Sequence, residues 1–178
     1  MVNSILTYVG EVLAAKIPFI DKVDSPVKRL QKDSIIYKGE GSEKEKVTIS
    51  DEYGNGVYIR QTQPEQSKPL KAISSCGPRY QMITRCRLVY YSFTDVSKEY
   101  SSDKIKSILM NSLNNIDFVG YSGTASEITT TIYSASNDFE KIFFDELGKR
   151  FEGDTWPMII AIDFSLNYTD INCSVCDL

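Results

Sequence analysis

The sequence predicts a single α+β domain in which helices pack against a mostly antiparallel sheet. Three observations lead there. A strand-like run, Met82-Ile-Thr-Arg-Cys-Arg-Leu-Val-Tyr-Tyr91, opens the second half of the chain, and another, Pro157-Met-Ile-Ile-Ala-Ile-Asp-Phe-Ser-Leu-Asn-Tyr168, closes it. Two amphipathic helical segments lie between them. The chain has 178 residues, 42% hydrophobic and 25% charged, which suits one ordinary domain with a real core.

The elements follow in order. Residues 3–16 read as a helix capped by Asn3 or Ser4, with Ile5, Leu6, Val9, Val12 and Leu13 on one face. Pro18 ends it, and Ile17, Phe19 and Ile20 form an anchor that packs back on the core. Residues 21–45 are polar and charged and predict a loop with a short strand at Ser34–Tyr37. A hairpin is expected next, with 46–50 and 56–60 flanking a Gly- and Asn-containing turn at 51–56. Residues 61–81, with Pro64, Pro69, Gly77 and Pro78, read as a second long connection.

In the strand from Met82, the residues Met82, Thr84, Cys86, Leu88 and Tyr90 alternate with Ile83, Arg85, Arg87, Val89 and Tyr91. Ser101 or Ser102 caps a helix bearing Ile105, Ile108, Leu109, Leu113 and Ile116. A strand around 117–121 is expected to pair with 127–133, whose β-branched content is high. The next helix, 137–148, presents Phe139, Ile142, Phe143 and Leu147, with Asp138 and Glu140 in its first turn. On the last strand Met158, Ile160, Ile162, Phe164, Leu166 and Tyr168 share the face expected in the core. The chain thus divides into an N-terminal helix and anchor (1–20), a hairpin with long loops (21–81), a core block (82–168) and a C-terminal tail (169–178).

Composition narrows the chemistry. There is no histidine, which removes Ser-His-Asp, Cys-His and His-metal arrangements. The net charge of −4 argues against free-standing nucleic-acid binding, although Arg79, Arg85 and Arg87 make a local basic cluster. Cys173-Ser-Val-Cys176 has a zinc-knuckle spacer, but Cys76 and Cys86 are a poor second half-site, and Cys86 falls inside a strand. No metal and no cofactor are therefore expected. No apolar run approaches the roughly 20 residues of a membrane span, and the N-terminus lacks the basic region of a signal peptide. No catalytic or binding residue is singled out. The acids that an enzyme would use are Asp51 and Glu52 in the expected turn, or Asp163 on the last strand. Their plainer readings are turn residues and a solvent-facing strand carboxylate.

Three segments carry a resemblance to a known family. They are the N-terminal helix running into Ile17-Pro-Phe-Ile20, the pair Arg85–Tyr91 and Asp103–Leu109, and the strand Met158–Tyr168. In order and spacing they resemble the tail-terminator and neck-ring (head-to-tail connector) proteins of tailed bacteriophages. The resemblance implies a virion protein, assembled in the host cytoplasm, that forms a homo-oligomeric ring between portal, neck and tail proteins. DNA would pass through it without sequence-specific binding, and no membrane would be involved. Heterologous contacts close such a ring, and sheet edges could continue from subunit to subunit. In that setting the long loops 21–45 and 61–81 would be gripping arms. The alternatives are a monomeric protein-binding adaptor and a small carboxylate-dependent enzyme.

Overall fold

A computed structural model of the chain describes residues 2–29, 36–38, 45–46, 54–70, 79–93, 100–119, 121, 125–147 and 157–171. They form an α+β fold with three helices and an eight-stranded, mostly antiparallel sheet. Helix α1 (Val2–Lys16) precedes strands β1 (Lys22–Arg29), β2 (Ile36–Lys38), β3 (Glu45–Lys46), β4 (Asn55–Gln61), β5 (Gln66–Leu70) and β6 (Arg79–Ser92). Helix α2 (Ser102–Asn114), β7 (Ala125–Ser136), α3 (Phe139–Leu147) and β8 (Met158–Ile171) follow. The sheet order is β3-β2-β1-β4-β6-β8-β7, with β5 added to β6 beyond the end of β4.

The spine of the sheet is the β6–β8 ladder, unbroken from Arg79↔Ile171 to Ser92↔Met158. Where Leu88–Tyr91 faces Ile159–Ile162 both strands are apolar on two faces, which suits the centre of a sheet covered on both sides, and beyond that stretch they alternate. On one face Cys86, Leu88 and Tyr90 of β6 and Ile160, Ile162, Phe164, Leu166 and Tyr168 of β8 meet α1 and α2. Helix α1 contributes Ile5, Leu6, Val9 and Leu13, and α2 contributes Ile105, Leu109 and Leu113. Ile17 and Ile20 are buried in the same core, and Phe19 packs against it, its ring edge-on to Tyr90. Ser101 is the N-cap of α2, its hydroxyl accepting from the Lys104 N–H. On the other face a smaller cluster joins Val27, Tyr58, Val89, Tyr91, Ile159 and Ala161 to Ile142 and Phe143 of α3. Asp138 caps that helix through the Lys141 N–H.

Four expectations need correction. The segment 21–45 is not a loop throughout, because 22–29 is β1, parallel to β4. Pro26 lies where the β1–β4 register is irregular, between Asp24 and Val27, so its missing N–H interrupts no regular ladder. The first strand of the expected hairpin, 46–50, lies outside the described residues except for Lys46, and the place it would take beside 56–60 is filled. Both edges of β4 are occupied, by β1 and β6, and β3 pairs with β2 instead. The physical reason is burial on two sides: Val57 and Ile59 enter one core and Tyr58 the other, so β4 belongs in the sheet interior.

The connection 61–81 likewise contains β5 and the start of β6. Pro69 sits in β5, and β6 is the only described neighbour of that strand, so its missing N–H is tolerated. Residues 117–121 do not pair with 127–133. Among the described residues β7 pairs with β8 alone. The Asp117 carboxylate accepts from the Val119 N–H, and the Tyr121 N–H donates to the Phe118 carbonyl, which makes a turn.

Two glycines mark close approaches. A Cβ on Gly56 would run into the ring of Tyr91, its direct cross-strand neighbour. Gly10 lets α1 settle on β1, where a Cβ would lie 2.7 Å from Val23 Cγ1.

Candidate functional site

The register of the sheet sets four polar side chains in one row on the α3 face. Arg60 of β4 is directly opposite Arg87 of β6, Arg87 is opposite Asp163 of β8, and Asp163 is opposite Ser134 of β7. Two arginines side by side repel one another. The row is stable because α3 lowers a carboxylate onto it, since Glu146 follows Ile142 by four residues and so shares its buried stripe.

Glu146 is fully buried. Its Oε1 accepts from Arg60 Nη2 at 2.7 Å and from Arg87 Nη1 at 3.0 Å. Its Oε2 accepts from Arg60 Nε at 2.8 Å and from the Tyr58 hydroxyl at 3.1 Å. Arg87 turns its remaining edge to Asp163, with Nε to Oδ1 at 2.5 Å and Nη2 to Oδ2 at 2.9 Å. The Ser134 hydroxyl donates to Asp163 Oδ2 at 3.0 Å. The Arg60–Glu146 and Arg87–Asp163 contacts are bidentate and charge-assisted, the strongest class of side-chain hydrogen bond.

The electrostatics follow from that geometry. Burial alone would raise the Glu146 carboxyl, but Arg60 and then Arg87 outweigh it and hold it below the usual carboxylate range. Burial would likewise raise Asp163, and the Arg87 guanidinium outweighs it, helped by Ser134. Arg87 is raised by its bond to Asp163 and next by Glu146. The Tyr58 phenol is raised well above its ordinary value by burial and by the charge of Glu146.

Chemically, this is a saturated lock. A general acid must hold a proton near the working pH and a general base must have a lone pair to use, whereas both carboxylates are ionised and their oxygens engaged. Ser134 bonds to Asp163, but a carboxylate depressed by Arg87 is too weak a base to activate a hydroxyl.

Asp163, one of the three acids considered for an enzyme, is therefore half-buried against Arg87 rather than a free surface carboxylate, and is not poised for catalysis. Asp51 and Glu52 lie outside the described residues, as do Cys76, Cys173 and Cys176. Cys86 is buried on the main core face, and burial pushes its thiol up to about 12, as for an inert structural cysteine. Arg85 and Arg87 do not form a common basic patch. Arg87 is neutralised within the row, while Arg85 is exposed, its guanidinium 5.9 Å from the centre of the Tyr133 ring. The side chain of Arg79 lies outside the described residues. Among the described residues no group of three or more Cys, Asp or Glu side chains could hold a metal ion. Tyr58, Arg60, Ser134 and Glu146 are the members that sequence reasoning missed. The available signal was a carboxylate in the apolar stripe of 137–148.

No protein-family model matches this chain, and no curated protein sequence is similar to it.

Proposed function

We propose that this chain is a structural subunit of a ring in the neck or tail of a tailed bacteriophage, a tail terminator or head-to-tail connector through which DNA passes. One observation carries the reading. The three parts behind the resemblance, the N-terminal helix with Ile17–Ile20, the pair 85–91 and 103–109, and 158–168, pack together into one core, with Ile17, Ile20, Leu88, Ile105, Leu109 and Phe164 all buried in it. A second supports a structural role over catalysis, because Asp163, the described carboxylate of the enzymatic alternative, is locked to Arg87. The net charge of −4 suits a conduit wall that DNA slides past without sticking. Among the described residues no helix is long and apolar enough to cross a membrane. The subunit would meet its own copies around the ring, and portal, neck and tail proteins above and below.

Electron microscopy of the purified protein, and of phage particles probed with an antibody against it, tests the proposal. Rings with a central opening, and label at the neck or tail, are expected. A protein that forms no ring and labels no particle overturns the reading.

A further inference from the structure

Strand β7 ends the sheet, and among the described residues its outer edge has no neighbour. Exposed edges are usually blunted by shortness, charge or proline. The other one-sided strands follow that rule: β3 is two residues long and consists of Glu45 and Lys46, and β5 carries Lys68 and Pro69. Strand β7 does not. It has 12 residues, no proline and no basic residue, and Ile128–Ser136 is entirely uncharged.

The sequence of this edge is also symmetric. Around Thr130 it reads Ala-Ser-Glu-Ile-Thr-Thr-Thr-Ile-Tyr-Ser-Ala from 125 to 135, the same in both directions except for Glu127 against Tyr133. The backbone shares the symmetry. The register with β8 is regular from Ile128 to Ile132 and breaks on both sides of that stretch, between Ala125 and Ile128 and between Ile132 and Ser134. At the centre, the Thr130 hydroxyl is buried and makes no hydrogen bond. A buried hydroxyl without a partner is costly.

We propose that β7 pairs antiparallel with β7 of a second copy of this chain about a two-fold axis at Thr130, joining the two sheets into one. In that register Thr130 faces its own counterpart, so each hydroxyl gains a partner of the Thr–Thr type that stabilises cross-strand pairs. Ile128 faces Ile132 of the other copy and Thr129 faces Thr131. The one asymmetric position sets residue 127 of one copy opposite Tyr133 of the other. A two-fold contact is isologous and stops at two copies. It is therefore separate from the head-to-tail contact of a ring and does not depend on the phage reading; a chain making both contacts forms two rings back to back.

Thr129 and Thr131 are exposed, so charges can be placed there without disturbing the core. Sedimentation equilibrium is the measurement, with circular dichroism to show that each variant is folded. The Thr129→Lys/Thr131→Lys chain sets lysine against lysine across the axis and should have half the mass of the wild type. Thr129→Lys/Thr131→Glu sets opposite charges together and should restore the full mass. Under oxidation, Thr130→Cys should form an intermolecular disulfide more readily than Thr129→Cys. A wild type that is monomeric up to submillimolar concentration, or gains mass only with another protein, overturns the proposal. So does a double-lysine variant with undiminished mass, or a lysine–glutamate variant that stays dissociated.

Discussion

A carboxylate without solvent contact is stable only while its oxygens are engaged, and at Glu146 the donors come from Tyr58, Arg60 and Arg87. Removing one partner of a buried ion pair strands the rest, at a cost of about 3–5 kcal/mol. Glu146→Ala leaves two adjacent guanidinium groups with no carboxylate between them, so urea denaturation should show a loss in that range. The pH dependence has a definite sign. Carboxylates held below their ordinary value in the folded state contribute stability that is complete above the unfolded value and disappears as pH falls through the folded one. Stability should thus be level above about pH 5 and decline below about pH 4. Glu146→Gln should start lower at neutral pH and decline less steeply in acid, and parallel acid profiles for the two proteins would count against this account. Gly56 belongs to the same scale. Gly56→Ala forces the Tyr91 ring out of a packed cluster and should cost about 1–3 kcal/mol by the same assay.

Helix α3 has nine residues, too few to persist without packing. Its docking rests on Ile142, Phe143 and Glu146, and the Phe143 ring lies 4.9 Å from that of Phe139. Phe143→Ala should cost about 3–5 kcal/mol, and in native-state hydrogen exchange the α3 amides should lose protection before those of β6 and β8. Loss of protection that is uniform across the three elements would show that α3 is not a separable unit. The elements also explain what the sequence made legible. Helices with a complete apolar stripe and a cap, such as α2 behind Ser101, were readable because period and cap agree. So were β6 and β8, whose alternation is long. Strands β1 and β5 were not, because their prolines signal a loop and their pairing depends on distant partners. The expectation of a hairpin has the same origin, since a Gly-Asn-Gly turn is a local signal and the occupied edges of β4 are a tertiary fact. The Glu146 lock was half legible: an acid in an apolar stripe marks a buried charge, but only the register of β4 against β6 reveals that two arginines wait opposite it.

At the scale of the molecule, the last described strand is the one that completes the sheet. Strand β8 inserts between β6 and β7, pairs with β6 along its whole length, and contributes apolar side chains to both cores. Until it arrives, β6 lacks its longest ladder and β7 has no described partner at all. A chain ending at Glu152 lacks β8 and with it Ile160, Ile162, Phe164, Leu166 and Tyr168, so α1 and α2 have half a floor to pack on. Entropy opposing the ordering of each residue runs to about 1–2 kcal/mol, and a domain is stable by only about 5–15 kcal/mol in all. The truncated chain should therefore fail to fold, giving a collapsed methyl region in its proton NMR spectrum and no cooperative urea transition. Adding a separate peptide of residues 157–171 should restore dispersion, because the slot between β6 and β7 is defined on both sides by backbone register. If the truncated chain unfolds cooperatively by itself, β8 is an accessory strand and the sheet has another nucleus.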